Sequence, residues 1–399
     1  MFPAASGRFS KTGVRPPASP ARPQKEKAGV GPRMRMWIRA WLSGLLPSLL
    51  LVNPLWAAER STLDADESVM FFPAIARAWT DGSVTVDIEA WVFQEERQRV
   101  LDFALTSYMG VDLDEQAPES RALFEKRMRY FHTDSERNET IFVRIVDRVV
   151  SLPATNSAGR THGEIKVGGD LVRWRDDGVG RVFYALEAPG HAMHGLEGYA
   201  WVLPEEGVFV VSDIDDTIKH SNVRDKKALL RNTFLAPFQA VPGMADWYRE
   251  MAGHEPGAFF HYLSASPLEL YPALSAFLRE EGFPAGNMHL RESTAWRALY
   301  ANQQDSMAHK TGVLDRLAAA FPRRRFILIG DSGESDPEIY ADFARRHPGQ
   351  ITAIYIRDVS GEDENAPRYR QTFMGIAAQR WRILDRFDPA AVFFGSYGK

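Results

Sequence analysis

From about residue 206 the sequence alternates strand-length apolar runs with helical patterns, and few folds accommodate that rhythm. The runs are Val208–Val211, Phe259–Leu263, Phe326–Ile329 and Ile351–Ile356; the helical patterns are Met244 to Met251, Pro267 to Glu281, Lys310 to Phe321 and Glu338 to Arg346. Successive apolar residues mean that both faces of each strand are covered, which predicts a parallel sheet with helices on either side. The fold class expected for residues 206–399 is α/β, with a doubly wound parallel sheet of Rossmann type. Ligands of such sheets bind at the carboxyl ends of the strands. Pro204 and Gly207 mark the boundary with what precedes.

Residues 59–205 read as mainly strands. Ser83 to Phe93 alternates around Val84, Val86, Ile88 and Ala90, and Ile141 to Val150 and Gly163 to Val167 are further strand candidates. Asp177-Gly178, followed by Gly180, signals a hairpin leading into Val182-Phe183-Tyr184. Ser120 to Phe131 fits a helix with Phe124, Met128 and Phe131 on one side. The expectation is a small β-sandwich with a helical insertion. It carries no catalytic constellation, so a binding or spacer role is expected for it, with its protein partner unknown.

The first 58 residues are set apart by charge. They hold nine Lys/Arg and one acid, leaving 39 basic against 51 acidic residues in the rest, a balance of −12. So acidic a body does not bind nucleic acid through its overall field. Residues 1–33 are rich in Pro, Gly, Ala and basic residues, and read as a disordered leader or as lying upstream of a true start at Met34 or Met36. Arg35 and Arg39 precede an uncharged stretch, Ala40 to Ala58, ending in Leu55-Trp56-Ala57-Ala58. This is the pattern of a signal peptide, with Ala57 or Ala58 as the cleavage residue and a periplasmic or secreted destination. The alternative is an uncleaved membrane anchor, against which Pro47, Pro54 and the short length argue. The chain has no cysteine, which excludes disulfides, thiolate catalysis and cysteine-ligated zinc.

Four stretches carry side chains suited to one site. Val208-Phe-Val-Val-Ser-Asp-Ile-Asp-Asp-Thr217 delivers Asp213 and Asp215 straight after an apolar strand. Two adjacent carboxylates gain when a divalent cation offsets their repulsion beside a phosphate, the layout of an aspartate nucleophile with a neighbouring acid/base. Turn formation or helix capping by Asp and Thr is the competing explanation. Ser264 closes the next strand and is free to donate to a phosphate oxygen, whereas Ser266-Pro267-Leu268-Glu269 fits a capping box that makes Ser266 structural. Lys310 precedes Val313, Leu314, Leu317, Ala320 and Phe321 on one helical stripe, so it either meets a buried anion or, at a helix start, snorkels to water. Gly330-Asp-Ser-Gly-Glu-Ser-Asp336 leaves a strand with Asp331 placed as a cation ligand, while Asp336, ahead of Pro337, fits a helix cap that can also orient a ligand. All four lie in order at strand ends, as a single phosphate site requires.

Asp213-x-Asp215-x-Thr217, Ser264, Lys310 and Gly330-Asp331-x-x-x-x-Asp336 resemble the four signatures of the haloacid dehalogenase-like phosphatases. The surrounding text is closer to one branch. Ser-Asp-Ile-Asp-Asp-Thr-Ile-Lys, Arg231-Asn-Thr-Phe234, His261-Tyr-Leu-Ser-Ala-Ser-Pro267, Leu270-Tyr-Pro272, Phe326-Ile-Leu-Ile-Gly-Asp-Ser-Gly-Glu334 and Ile356-Arg-Asp-Val359 look like the catalytic domain of the actin-patch-protein type phosphatidate phosphatases, over roughly 206–360. The resemblance implies a magnesium-dependent phosphatase that converts phosphatidate to diacylglycerol. It implies Asp213 as nucleophile and Asp215 as acid/base, with the nearby Asp213 favouring the protonated form of Asp215. It implies Thr217, Ser264 and Lys310 at the substrate. Magnesium would be held by Asp213, the main-chain oxygen of Asp215 and Asp331, with Asp336 behind. The stretch Thr233 to Phe238 is placed to contact acyl chains or to pack in the core. A membrane surface is a possible partner. The alternatives keep the chemistry on a soluble phosphate ester or a phosphoprotein, or make the protein a secreted binding protein with a vestigial phosphatase domain.

Overall fold

The computed structural model describes residues 60–175, 178–255, 257–292 and 303–384. The expected leader and cleavage site, and Asp177 of the hairpin signal, lie outside the described residues. Strands β1 (Glu67–Phe72), β2 (Ala74–Ala78) and β3 (Ser83–Glu95) come first, followed by helices α1 (Arg99–Met109) and α2 (Pro118–Met128). Then follow β4 (Thr133–Ser135), β5 (Phe142–Ile145), β6 (Arg148–Ser151), β7 (Arg160–Gly168), β8 (Arg173–Trp174), β9 (Gly180–Leu186) and β10 (Glu197–Leu203).

These strands form one hydrogen-bonded network, where a sandwich of two sheets was expected. The chain leaves β3 for β10 between β1 and β2: β1 pairs with the far half of β3, while β2 also pairs in parallel with β10. Alternate residues of β3 and β7 share one core with Val182 and Tyr184 of β9 and Ala200 and Val202 of β10, so two groups of strands enclose it. The run from Ile141 to Val150, expected as one strand, folds back on itself as the β5–β6 hairpin, with Val146 at φ 56 in the turn. The expected hairpin near Gly178 is the β8–β9 pair, and Gly178 takes the left-handed conformation (φ 77) that its turn needs. Helix α2 matches the expected one and buries Phe124 and Met128. Helix α1 was not anticipated. Its signal is the i, i+4, i+8 spacing of Leu101, Leu105 and Met109, all fully buried, and the left-handed Gly110 ends it.

The second half is a six-stranded parallel sheet: β11 (Gly207–Ser212), β12 (Phe259–Pro267), β13 (Gly286–Arg291), β14 (Arg324–Asp331), β15 (Ile351–Arg357) and β16 (Trp381–Leu384), ordered β13-β12-β11-β14-β15-β16. Between and after them run α3 (Lys226–Phe234), α4 (Met244–His254), α5 (Tyr271–Glu280), α6 (Gln303–Ala320), α7 (Asp336–Arg346) and α8 (Pro367–Thr372). Val208 and Val210 of β11 pack with α3, α4 and α5 on one face, and Phe209 and Val211 pack with α6 and α7 on the other. The continuous apolar runs therefore do what their composition demands, feeding both faces of a covered sheet. Helices α1 and α2 join the first of those two cores through Leu101, Leu105, Met109, Phe124 and Met128. No helix among the described residues is long and apolar enough to cross a membrane.

Candidate active site

Parallel pairing puts the carboxyl ends of β12, β11 and β14 side by side: Ser212 is in register with Tyr262 on one neighbour and with Ile329 on the other. The residues just beyond these positions share one crevice. Asp213 follows β11, Ser264 and Ser266 lie in the last turns of β12, and Asp331 ends β14.

Lys310 reaches them from the opposite layer. Helix α6 begins at Gln303, so Lys310 sits two turns inside it and is fully buried, which removes the snorkelling alternative. Its Nζ donates to Asp213 Oδ1 at 2.8 Å and to Asp336 Oδ1 at 2.5 Å, with Glu334 Oε2 at 3.6 Å. Burial alone would lower the lysine pKa, but Asp213, Asp336 and Glu334 outweigh it and raise it well above the usual value. The Thr217 hydroxyl, expected at the substrate, donates to Asp213 Oδ2 at 2.9 Å and is fully buried.

Asp213, Asp331 and Asp336 bring carboxylate oxygens within 4.8 Å of one another, all buried. One ammonium does not balance three buried carboxylates. Burial first, and then the neighbouring acids, push Asp213 and Asp331 well above the ordinary carboxylate range, against the pull of Lys310. Asp331 Oδ1 accepts from Gly333 N at 2.6 Å, but its Oδ2 is buried and has no hydrogen-bond partner. An orphaned carboxyl oxygen beside two further carboxyl groups is a donor set that suits a hard divalent cation. Asp336 is the first residue of α7 and not its cap; its Oδ2 accepts from Asp331 N at 3.3 Å. Gly330 permits this approach, because a Cβ there would lie 2.4 Å from Asp336 Oδ2. The loop is tied from outside by Arg368 of α8, which donates to Ser332 O (2.7 Å) and Glu334 O (2.8 Å) and pairs with Glu338.

The Asp215 carboxylate lies outside that cluster. Its Oδ1 meets Lys219 Nζ at 2.7 Å and the Ser221 hydroxyl at 2.7 Å; its Oδ2 accepts from Ser264 at 3.0 Å and Ser266 at 2.8 Å. Burial would raise its pKa, but Lys219 and the hydroxyl donors overcome that and hold it far below the usual range. In this arrangement Lys219 favours the anionic form of Asp215 and so opposes the expected effect of Asp213. Ser266 is likewise not a helix cap. Strand β12 runs on to Pro267 and α5 starts at Tyr271, which leaves the Ser266 side chain on Asp215. Sequence reasoning passed over Lys219 and Ser221; the short step from Asp215 to Lys219 within one turn was the available signal. Asp216 builds that turn. Its backbone is left-handed (φ 56), and its carboxylate accepts from the amides of Ser221, Asn222 and Val223 at 2.8, 2.9 and 2.6 Å.

A cavity of about 140 Å³ opens onto Asp213, Asp215 and Ser264. Leu229, Leu230 and Phe234 of α3, Leu270 and Tyr108 make its walls largely apolar, and Lys226 and Glu334 also line it. Of the stretch Thr233 to Phe238, Thr233 and Phe234 reach the cavity, while Phe238 packs under Arg127 and against Phe277.

Residues 208–358 match the family described as phosphatidate phosphatase APP1, catalytic domain. The chain is similar to phosphatidate phosphatase APP1 of Saccharomyces cerevisiae, 34% identical over 172 residues, which is 42% of this chain and 29% of that protein. It is similar also to an uncharacterised protein of Schizosaccharomyces pombe, 34% identical over 165 residues, 40% of this chain and 27% of that one. The alignments thus span less than a third of either relative.

Proposed function

We propose, from the match of residues 208–358 to the phosphatidate phosphatase APP1 catalytic-domain family, that the protein is a magnesium-dependent phosphatase of the haloacid dehalogenase-like, doubly wound kind that hydrolyses phosphatidate to diacylglycerol and phosphate. The observation that carries this reading is a single cavity that joins apolar walls to Asp213 and Asp215.

In this mechanism an Asp213 oxygen attacks phosphorus as the bond to the diacylglycerol oxygen breaks, and the leaving alkoxide takes a proton from Asp215. Water then attacks the aspartyl phosphate, gives its proton to Asp215 and releases phosphate, so that one water is consumed per ester. Asp215, held anionic by Lys219 and three hydroxyls, is set for the second step. For the first it has to gain a proton, which the arrival of the substrate's own negative charge favours. Lys310, already on Asp213, is placed to neutralise the charge on the phosphoryl oxygens, and Ser264 to exchange its bond to Asp215 for one to phosphate. Magnesium, held by Asp213, Asp331 and Asp336, would supply further charge neutralisation at those oxygens. The charge and apolar pattern of residues 1–58 supports reading them as an export leader, with a periplasmic or secreted enzyme as the proposal that follows.

The deciding experiment compares dioleoyl phosphatidate in mixed micelles with a panel of soluble phosphate esters and phosphopeptides. A clear preference for the lipid in kcat/KM is expected. Equal or better turnover of the small esters would replace phosphatidate with a soluble substrate.

A further inference from the structure

The cavity wall contains a residue far outside the segment matched to the family. Tyr108 belongs to α1, a hundred positions before Val208, yet it lines the same cavity as Asp213, Asp215 and Ser264. This placement is built in. The Leu101–Leu105–Met109 face of α1 is fully buried against the catalytic core. Gly110, left-handed at φ 67, ends the helix two residues after Tyr108, and Arg231 of α3 donates to the Met109 carbonyl between them. Lys227, also on α3, brings its ammonium to 6.0 Å from the Tyr108 ring centre.

Helix α2 locks the other side. Arg127 donates to the carbonyls of Thr233 (2.6 Å) and Ala236 (2.7 Å), and its guanidinium lies 3.8 Å over the Phe238 ring. Phe131 and Phe124 close on Phe234, itself a cavity residue, at ring distances of 5.4 and 6.2 Å. Three carbonyls, three aromatic contacts and a shared core fix the insertion onto α3. The distance of the Tyr108 ring from the reacting aspartates is therefore set by packing, and is not left to a mobile loop.

From this we infer that the α1–α2 insertion is a fixed cap of the catalytic cavity, and that Tyr108 is a specificity-determining residue whose ring packs against the hydrocarbon next to the substrate phosphate. The ligand class is a phosphate monoester carrying an alkyl or acyl group. The inference rests on the site being a phosphate-ester site, and it gives the insertion a task that the matched segment does not contain.

The test uses the full chain with magnesium and two non-hydrolysable probes, methylphosphonate and octylphosphonate, whose dissociation constants are measured by calorimetry. The native protein should prefer the octyl probe at least tenfold. Tyr108→Ala should cut that preference several-fold by weakening the octyl probe, and Tyr108→Trp, which fills the cavity, should do the same by exclusion. Thermal melting checks that each variant is folded, and Tyr108→Phe should retain the native preference. An unchanged ratio in both the Ala and Trp variants would overturn the inference while leaving the phosphatase reading standing. Failure of both probes to bind the native protein would overturn both. The ratio of turnover on dioctanoyl phosphatidate to that on glycerol 3-phosphate should move in parallel.

Discussion

Lys219, buried, and Asp215, partly buried, form an ion pair of 2.7 Å within one turn, while the other motif carboxylate, Asp213, is held at 2.8 Å by Lys310 from a helix distant in sequence. The two aspartates thus sit two residues apart and answer to different cations. That separation gives them opposite titration behaviour: burial pushes Asp213 up, and Lys219 holds Asp215 down. That order is the reverse of what attack by Asp213 and proton donation by Asp215 require, so a cation at Asp213 would have to lower the first and the substrate's charge raise the second.

Replacing Lys219 by Met should destabilise the fold by about 1–3 kcal/mol, since it leaves the partly exposed Asp215 carboxylate without its cation. Denaturant unfolding measures the loss. Because the Ser221, Ser264 and Ser266 hydroxyls remain on Asp215, the additional replacement Asp215→Asn should restore much of it. Additive losses in the double variant would show that the pair is not coupled.

Asp213→Asn should lower turnover about a thousandfold or more, because the amide is no nucleophile. The same change removes one charge from an overloaded acidic cluster, so thermal stability should hold or rise. Activity within tenfold of native would reassign the nucleophile.

The metal prediction has a definite sign. Asp213 and Asp331 have carboxyls raised above the usual 3.8 in the folded protein. Above that value the unfolded chain has already released protons that the folded one retains, so stability falls as pH rises through the window up to the raised values. Asp215 works the other way: its stabilisation is complete above 3.8 and is lost only as pH falls below it, leaving this window unaffected. The metal-free Tm should therefore drop as pH rises above 3.8 through the range in which the unfolded carboxyls are ionised and the folded ones are not, and saturating magnesium should flatten the drop by compensating the ionised cluster. Parallel Tm profiles with and without magnesium would mean that these carboxylates do not hold the ion. Chelation should abolish turnover and added magnesium restore it.

Arg368 lies ten residues beyond the matched segment, yet it grips the carboxylate loop through Ser332 O and Glu334 O. Arg368→Ala should weaken magnesium binding about 10–100-fold, as loss of outer support for metal ligands does. Magnesium-dependent thermal stabilisation reads this without relying on turnover. Lys in its place can reach only one carbonyl at a time and should recover part of the affinity. Unchanged magnesium dependence in the Ala variant would make Arg368 a surface residue without influence on the cluster.

Three of the four motif segments were legible because each follows a strand whose apolar run has no other explanation, and parallel register then brings their ends together; Lys310 was legible from its place on the apolar stripe of its helix. What escaped is of another kind. The contacts of Thr217 and Ser264 with Asp213 and Asp215 depend on side-chain direction within a turn, which spacing does not fix. Ser266 was misassigned because its local pattern satisfies a capping box, and the sheet overrode that pattern by extending β12 to Pro267. The Ile141–Val150 run was misread because a hairpin turn can form around a valine when the flanking pairs are strong. Helix α1 was missed because apolar Val100, Phe103 and Ala104 lie off its buried face and blur the stripe, although the Leu101–Leu105–Met109 spacing was present. Its role at the cavity could not be read, since nothing in a linear pattern reports which distant helix it will meet.

The grip of Arg127 on the carbonyls of Thr233 and Ala236 has a practical consequence for anyone trimming the gene. A fragment beginning at Val208 would keep every motif and lose its roof: Phe234, now almost wholly shielded, would face solvent along with the carbonyls that the guanidinium had capped. Such a fragment invites clumping in the test tube, and inactivity on its part would say nothing against the chemistry. The upstream half has to travel with the motifs whenever the enzyme is produced, swapped between homologues or fused to a tag.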